Sequence, residues 1–306
     1  LDRIADVTLV DRHNFQTFLP LLYQVSTAGL AADHIAYPIR GALRDTKVAF
    51  RMGSPILIDH KNKTLKLDSS ETLDFDYLIF ALGSTTNDFG VKGVAEHGLG
   101  MKTITEALKI RSSIMRRFED LCRIDDCSTL SVSVVGGGPT GVEMAGAIAE
   151  LKKGPLSSDQ ENAANRIHVH LIEAGPRLLP SFSPYLSLRT KKDLENLGVS
   201  VHTNAIVNEV KTDRIILKDK STIESHVTIW AAGVKGESAM AKLRLPIEAN
   251  RIKVGSTLQV ENYPYIFAIG DIAGAKDSSG RYLPMVAPVA MQQGRFVAKQ
   301  IAALIA

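Results

Sequence analysis

The sequence predicts an α/β fold of two similar units. Three observations carry this expectation. A divergent internal repeat runs through the chain: residues 7–11 (VTLVD) and 169–173 (VHLIE) are apolar strands ending in an acid. Each acid strand is followed by a meander-like pattern and then by a short apolar run ending in a glycine turn. Those runs are residues 77–84 and 227–234, at an offset of 150. The third observation is an apolar strand, residues 131–135, that enters Gly136-x-Gly138-x-x-Gly141 and is followed by an Ala-rich helix pattern.

The 306 residues fit about two domains. With 45% hydrophobic and 23% charged residues, bulk disorder is excluded, because enough apolar surface is available to offset the entropy of ordering. The net charge of +3, from 36 Lys+Arg and 33 Asp+Glu, is too balanced to predict a nucleic-acid partner. No apolar run approaches the roughly 18–20 residues of a membrane span. The opening LDRIADVTLV lacks the layout of a signal peptide. Two Cys exclude a disulfide scaffold and point to a reducing compartment.

In chain order, the first acid strand places Asp11 where a carboxylate accepts hydrogen bonds from a ribose, yet only ten residues precede it. Residues 1–6 read as the tail of a helix, and the chain reads as lacking its first phosphate loop. The first meander spans KTLKL from Lys63, a turn at Asp68, and the run YLIFALGS from Tyr77. Thr103-Ile-Thr-Glu106 is a capping box that opens a helix through about residue 124. Its apolar positions Ile104, Leu108, Met115, Phe118 and Leu121 recur at helical spacing and read as packing between domains.

The glycine loop follows in the context that such a loop requires. Gly136 makes the tight turn, Gly138 lets the backbone approach a pyrophosphate, and Gly141 lets the helix pack closely on the strand. The helix N-terminus offers free N–H groups and its positive dipole end to the phosphates. Glu173 lies 32 residues after Gly141, against the usual ~20. The polar stretch 152–166 (KKGPLSSDQENAANR) reads as an inserted loop that accounts for the excess. A carboxylate at Glu173 accepts from a ribose 2′-OH and repels a 2′-phosphate, which favours NAD(H); Arg177 nearby keeps NADP(H) as the alternative. The second meander spans DRIIL from Asp213, a turn at Lys218, and the run VTIWAAGV from Val227. Residues 265–269 make another strand whose exit turn is Gly270-Asp271, and an acid at that end of a parallel strand sits where ligands bind. Taken alone, Asp271 reads equally as a turn residue capping the next helix. The chain stops inside a helix pattern that begins near Ala287.

Together these residues resemble the flavoprotein reductases that carry two dinucleotide-binding domains. The resemblance rests on Asp11, Ala81-Leu-Gly83, the glycine loop and Gly270-Asp271. Narrower motifs resemble the type II NADH:quinone oxidoreductases. These are Asp11-Arg-His-Asn-Phe with Phe18-Leu-Pro-Leu-Leu-Tyr-Gln-Val25, Gly136-Gly-Gly-Pro-Thr-Gly-Val-Glu143, Trp230-Ala-Ala-Gly-Val234 and Ala287-Pro-Val-Ala-Met-Gln-Gln-Gly294. The resemblance covers essentially the whole chain. It implies two Rossmann-like three-layer domains, the NAD domain inserted into a split FAD domain. The FAD domain takes residues 1–104 and 254–306, a linker helix takes 105–128, and the NAD domain takes 129–253. It implies FAD and NAD as cofactors, hydride transfer from NADH to FAD, and electrons passed on to a membrane quinone.

Among site residues the resemblance assigns Asp11, Gly270, Asp271 and Ala287 to FAD and Gly136, Gly138 and Gly141 to NAD, and it adds Ala81, Gly83 and Gly233, with Glu173, as cofactor-binding candidates. It places Glu143 near the nicotinamide–flavin contact, where the carboxyl hydrogen-bonds the nicotinamide ribose or handles a proton; on its own, Glu143 reads equally as a helix N-terminal acid. It aligns Gln292 with a glutamine bordering the quinone, and puts Pro288 where some members have Gln. A C-terminal membrane-attaching domain, absent here, implies a peripheral protein on the cytoplasmic face of a membrane, with this fragment soluble by itself. A homodimer is compatible with the family, and no nucleic-acid partner is implied. The alternatives are a soluble NAD(P)H–flavin reductase acting on a redox protein such as a ferredoxin, and a non-catalytic NAD(H)-binding redox sensor.

Cys122 and Cys127 have the C-x4-C spacing of a redox pair but lie just before the glycine-loop strand. In the disulfide-reductase branch the pair opens the helix after the first acid strand, and residues 14–30 hold no Cys, so the pair reads as incidental. His168 and His170 alternate on one strand, with no Cys or carboxylate cluster to complete a metal site; no metal is expected.

Overall fold

The computed structural model describes residues 1–123, 128–237 and 243–306. The chain forms two compact units. One comprises Leu1–Gln16, Tyr37–Thr85 and Val234–Ala306; the other comprises Thr17–Ala36 and Thr86–Gly233. These boundaries differ from the expected ones, and shared burial is the reason. Leu22, Val25 and Ile35 lie in the same core as Ile110, Phe118 and Val134, so residues 17–36 and the helix Ile104–Arg123 belong to the second unit. Leu243 and Leu245 share the core of Ile252 and Ile266, so the second unit closes at Gly233 rather than at 253.

The second unit is built on a five-stranded sheet ordered Gly98–Leu99, Val227–Trp230, Leu130–Val135, Ile167–Ile172, Val199–His202. Every pairing in it is parallel. All six residues of Leu130–Val135 are buried, as expected of a central strand covered on both faces. The glycine-loop helix Pro139–Leu151 buries Met144, Ala145, Ile148 and Ala149 in the core on one face. The antiparallel meander Val207–Val210, Arg214–Leu217, Thr222–Glu224 covers the other, with Ile215, Leu217 and Ile223 clustered with Val135, Ile172 and Trp230.

The capping box forms as expected. Thr103 N–H donates to Glu106 Oε2 at 2.9 Å, and Glu106 N–H donates to Thr103 Oγ1 at 3.2 Å. The helix it opens turns a slightly different face inward than its apolar residues suggest. Ala107, Ile110, Ile114, Phe118 and Leu121 are buried within the second unit, while Leu108 is exposed. The small Ala107 sits on the packed seam, a role that hydrophobicity alone does not reveal.

Residues 152–166 are not a loop. They continue as a wide turn over Lys152–Leu156, then helical turns at Ser157–Asp159 and Glu161–Asn165. Leu156, Ala163 and Ala164 are buried, so three apolar anchors hold an otherwise polar segment in helical form.

In the first unit the acid strand Thr8–Asp11 pairs in parallel with Ala49–Met52. A second small sheet is ordered Gln259–Val260, Tyr263–Ala268, Leu78–Phe80. The meander Pro55–Asp59, Thr64–Leu67, Thr72–Asp74 is antiparallel throughout. Its Ile58, Leu65 and Leu67 share a core with Phe80, Ile266 and Ala268. The helix Ala287–Ile305 packs Val297 and Ile301 against Leu258 and Phe267. Among the described residues no helix is long and apolar enough to cross a membrane.

Candidate functional site

Each unit carries its own constellation at the carboxyl ends of its parallel strands. In the second unit the chain leaves Leu130–Val135 through Gly136, whose φ is +116°. A Cβ at Gly136 would lie 2.5 Å from the Ala231 carbonyl oxygen, and one at Gly141 would run into the Gly136 carbonyl. Both positions therefore require glycine for close packing. At Gly138 a Cβ would meet nothing within 4 Å, so this backbone faces open space at the N-terminus of the helix. That is the place where an anion reaches the free N–H groups.

Glu173 follows Ile167–Ile172 directly. Its Oε2 accepts the Gly137 N–H at 2.6 Å and its Oε1 accepts the Gly175 N–H at 2.6 Å. One carboxylate thus clasps the glycine loop and its own turn, and two short charge-assisted bonds fix its position. Arg177 is engaged elsewhere. Its guanidinium donates to the Phe182 carbonyl at 2.8 Å, the Pro180 carbonyl at 2.7 Å and Ser187 Oγ at 3.0 Å. With donors held in its own loop, Arg177 is poorly placed for a 2′-phosphate, and the geometry favours NAD(H).

Glu143 stands in the first turns of the glycine-loop helix and is exposed, yet the protein around it desolvates the carboxylate enough to raise its pKa above the ordinary glutamate value. Gly233 lies just beyond Val227–Trp230; its carbonyl accepts the Asn87 N–H at 3.0 Å.

In the first unit Asp11 ends its strand, and its Oδ1 accepts the His13 N–H at 2.8 Å. Ala81 and Gly83 follow Leu78–Phe80; Gly83 has φ +73° and nothing within 4 Å of a would-be Cβ. Gly270, with φ +72°, and Asp271 follow Tyr263–Ala268. Ser84 Oγ donates to Asp271 Oδ2 at 2.6 Å, which joins the ends of two neighbouring strands. Ala287 is the first residue of the last helix.

Gln292 is exposed and lines an open cleft of about 1370 Å³, together with Lys253, Tyr282, Arg295, Phe296 and Lys299. Gln293 lines the same cleft, whereas Asp271 and Ala287 do not.

Three contributors were missed from sequence. Gln293 is buried, and its Oε1 accepts the Gly270 N–H at 2.7 Å, so it fixes the turn that presents Asp271. Ser84 orients Asp271 directly. Glu237, also buried, pairs with Arg12 at 3.2 Å beside Asp11. Adjacent glutamines signal that one must turn inward, but not which. Nothing local links Arg12 to a carboxylate 225 residues away.

His170 Nδ1 lies 3.2 Å from His202 Nε2 on the neighbouring strand. Burial, and then the neighbouring His202 and His168, push the His170 pKa down to about 4, against a smaller opposing effect of Glu224. The pair is therefore neutral at pH 7, one ring donating to the other. Among the described residues no three His, Cys, Asp or Glu side chains cluster as metal ligands. Cys122 is an exposed thiol on its helix whose pKa is raised by partial desolvation and by the neighbouring carboxylates of Glu119 and Asp159, while Cys127 lies outside the described residues.

The pyridine nucleotide-disulphide oxidoreductase family matches residues 3–294. The chain is 34% identical over 99% of its length to the type II NADH:quinone oxidoreductase Ndh of Mycobacterium tuberculosis, of which it covers 68%. It is 30% identical over 98% of its length to the type II NADH:quinone oxidoreductase of Haemophilus influenzae, of which it covers 74%. The structure of NDH2 from Plasmodium falciparum in complex with NADH is similar over 88% of this chain, with a TM-score of 0.81 and 30% identity; the chain spans 59% of that protein. By these matches the chain belongs to the pyridine nucleotide-disulphide oxidoreductase family, oxidoreductases built on FAD and a nicotinamide dinucleotide, and within it to the type II NADH:quinone oxidoreductases.

Proposed function

We propose that this chain holds NADH in its second unit and FAD in its first, and serves electron transfer from NADH to a membrane quinone. The observation that carries this reading is Glu173, whose carboxylate is clasped by the glycine loop beside the open space at Gly138. That arrangement suits an adenosine ribose bearing a free 2′-OH next to a pyrophosphate.

In this reading Glu173 accepts from the ribose hydroxyls, and Gly136, Gly138 and Gly141 bring the helix N-terminus to the phosphates. The raised pKa of Glu143 suits a group that holds a proton near the nicotinamide. Asp11 takes a ribose of FAD. Asp271, oriented by Ser84 and by the Gln293-braced turn, takes the ribityl-phosphate region, with Ala81, Gly83 and Ala287 as close backbone neighbours. The open backbone at Gly83 and the left-handed turn at Gly270 fit such an approach. FAD, when bound, supplies the hydride acceptor; the protein supplies position and electrostatics. Gln292 borders the quinone, and attachment to a membrane surface is peripheral. The functional domains follow the compact units, with FAD held by the split unit and NAD by the inserted one.

The test is the visible spectrum of the purified protein before and after anaerobic NADH. A flavin spectrum that bleaches with NADH and returns with a soluble quinone is expected. Bleaching without return would overturn the quinone step, and no flavin at all would overturn the enzymatic reading.

A further inference from the structure

In the sheet of the second unit the strand order turns back on itself. From Leu130–Val135 the chain proceeds outward through Ile167–Ile172 and Val199–His202, and then returns to the other side as Val227–Trp230. The crevice outside the carboxyl ends at such a reversal is where an open α/β sheet takes its ligand. Three adjacent strands then present Glu173, the glycine loop and residues 231–233 in that order. Neighbouring strands stand about 4.8 Å apart, so the two outer positions are about 10 Å from each other. With the adenosine ribose at Glu173 and the pyrophosphate at the loop, the third position faces the nicotinamide half.

The side chain at that third position is Phe89. Its φ of +52° is in the left-handed region that few bulky residues occupy. The loop is pinned in place. Asn87 N–H donates to the Gly233 carbonyl at 3.0 Å, the Asn87 carbonyl accepts from Trp230 Nε1 at 2.7 Å, and Asn87 Oδ1 accepts the Phe89 N–H at 3.0 Å. The ring rests on Gly233, where a Cβ would lie 2.9 Å from Phe89 Cζ. Glycine there makes the seat for the ring. Even so, Phe89 is 61% exposed. A phenyl group that is strained, pinned and still mostly in water gains little from its own burial.

We infer that Phe89 is the aromatic wall of the dinucleotide crevice and takes the face of the nicotinamide ring. Flat rings stack with a gain beyond area burial, and an exposed ring held rigid at a strand end gives that gain at low entropic cost. The inference rests on the NADH reading above and deepens it by naming what meets the reacting end of the dinucleotide.

The experiment is calorimetric titration of the purified protein with NADH and with ADP-ribose, which lacks nicotinamide, for wild type, Phe89→Ala and Phe89→Tyr. Phe89→Ala is expected to weaken NADH about three- to tenfold and to leave ADP-ribose unchanged. Phe89→Tyr keeps a ring and retains both affinities. Unchanged NADH affinity in Phe89→Ala overturns the inference, as does an equal loss for both ligands. If the wild-type protein binds neither ligand, the NADH reading itself fails, a different outcome from failure of the Phe89 contact alone.

Discussion

Leu9 and Leu171 hold the same place in the two copies of the repeat, two residues before the acid, and Ile79 and Ile229 hold the same place in the strands that leave the meanders. Their surroundings differ sharply. Leu171 and Ile229 are fully buried, whereas Leu9 is 40% and Ile79 36% exposed. In the second unit Val134 pairs with both Leu171 and Ile229, and Met144 and Ile148 of the glycine-loop helix complete the core around them. In the first unit the acid strand pairs with Ala49–Met52 and the exit strand with Tyr263–Ala268, and among the described residues no strand stands between the two. An apolar strand residue becomes core only when the next strand and the layer above it are in place.

Where the copies agree, the causes are local. Ser70 and Lys220 both take φ near +70° in the meander turn, at φ +70° and +72°. The N–H of Leu67 meets the carbonyl of Glu71, and that of Leu217 meets the carbonyl of Ser221, each at 2.9 Å. Each acid accepts from the N–H two residues onward, at His13 and at Gly175. Short-range sequence repeats its geometry; long-range cover is not repeated.

The largest expected effect tests this contrast directly. Leu171→Ala and Ile229→Ala should each cost about 2–5 kcal/mol in chemical denaturation, whereas Leu9→Ala and Ile79→Ala should each cost under about 1 kcal/mol. Equal losses in the two copies would mean that the first-unit faces are covered in solution, and the contrast would fail.

The acids come next. Glu173→Ala should weaken NADH binding about tenfold, since it removes a charged acceptor, and should narrow the preference over NADPH. Asp11→Ala should leave NADH affinity unchanged. Titration of both variants separates the roles of the two copies.

The histidines sharpen the comparison further. His170 stands where the first copy has Thr8. Because the folded-state pKa is about 4 against 6.5, the unfolded chain binds more protons between those values. Because His170 is only partly buried, solvent screening cuts the effect to well below the full linkage value, and the second unit should lose on the order of 1–2 kcal/mol as the pH falls from about 6.5 to about 4, followed through the fluorescence of Trp230. His170→Asn should flatten that loss; a wild-type profile that is already flat would contradict a neutral buried pair.

The smallest effect concerns the shared turn. Ser70→Gly and Lys220→Gly should each stabilise by about 0.5 kcal/mol, because glycine relieves the left-handed backbone at some entropic cost. Unequal gains would show that the two turns are alike only in outline.

Much of the fold was legible because its signals are short-range. The glycine loop, the acid strands, the meanders and the capping box each need only neighbours within a few residues to declare themselves. The stretch 152–166 was misread because its polarity outweighs three buried apolar anchors, Leu156, Ala163 and Ala164. The inward face of the helix Ile104–Arg123 was read slightly wrong because Ala107, a small residue, sits on the seam.

The sequence by itself determined the family, the repeat, the two dinucleotide-type units and the positions of Glu173 and Asp11, since glycines and acids at strand ends serve needs set by the local backbone. Only the tertiary structure decided which glutamine turns inward to hold Gly270, which serine orients Asp271, and which carboxylate meets Arg12. It also decided that Arg177 is spent on its own loop and that Phe89 rests on Gly233. Apart from the Arg177 loop, these pairings join residues far apart in the chain or depend on which way a helix turns. Their partners are chosen when the strands and helices pack, and no local spacing encodes that choice.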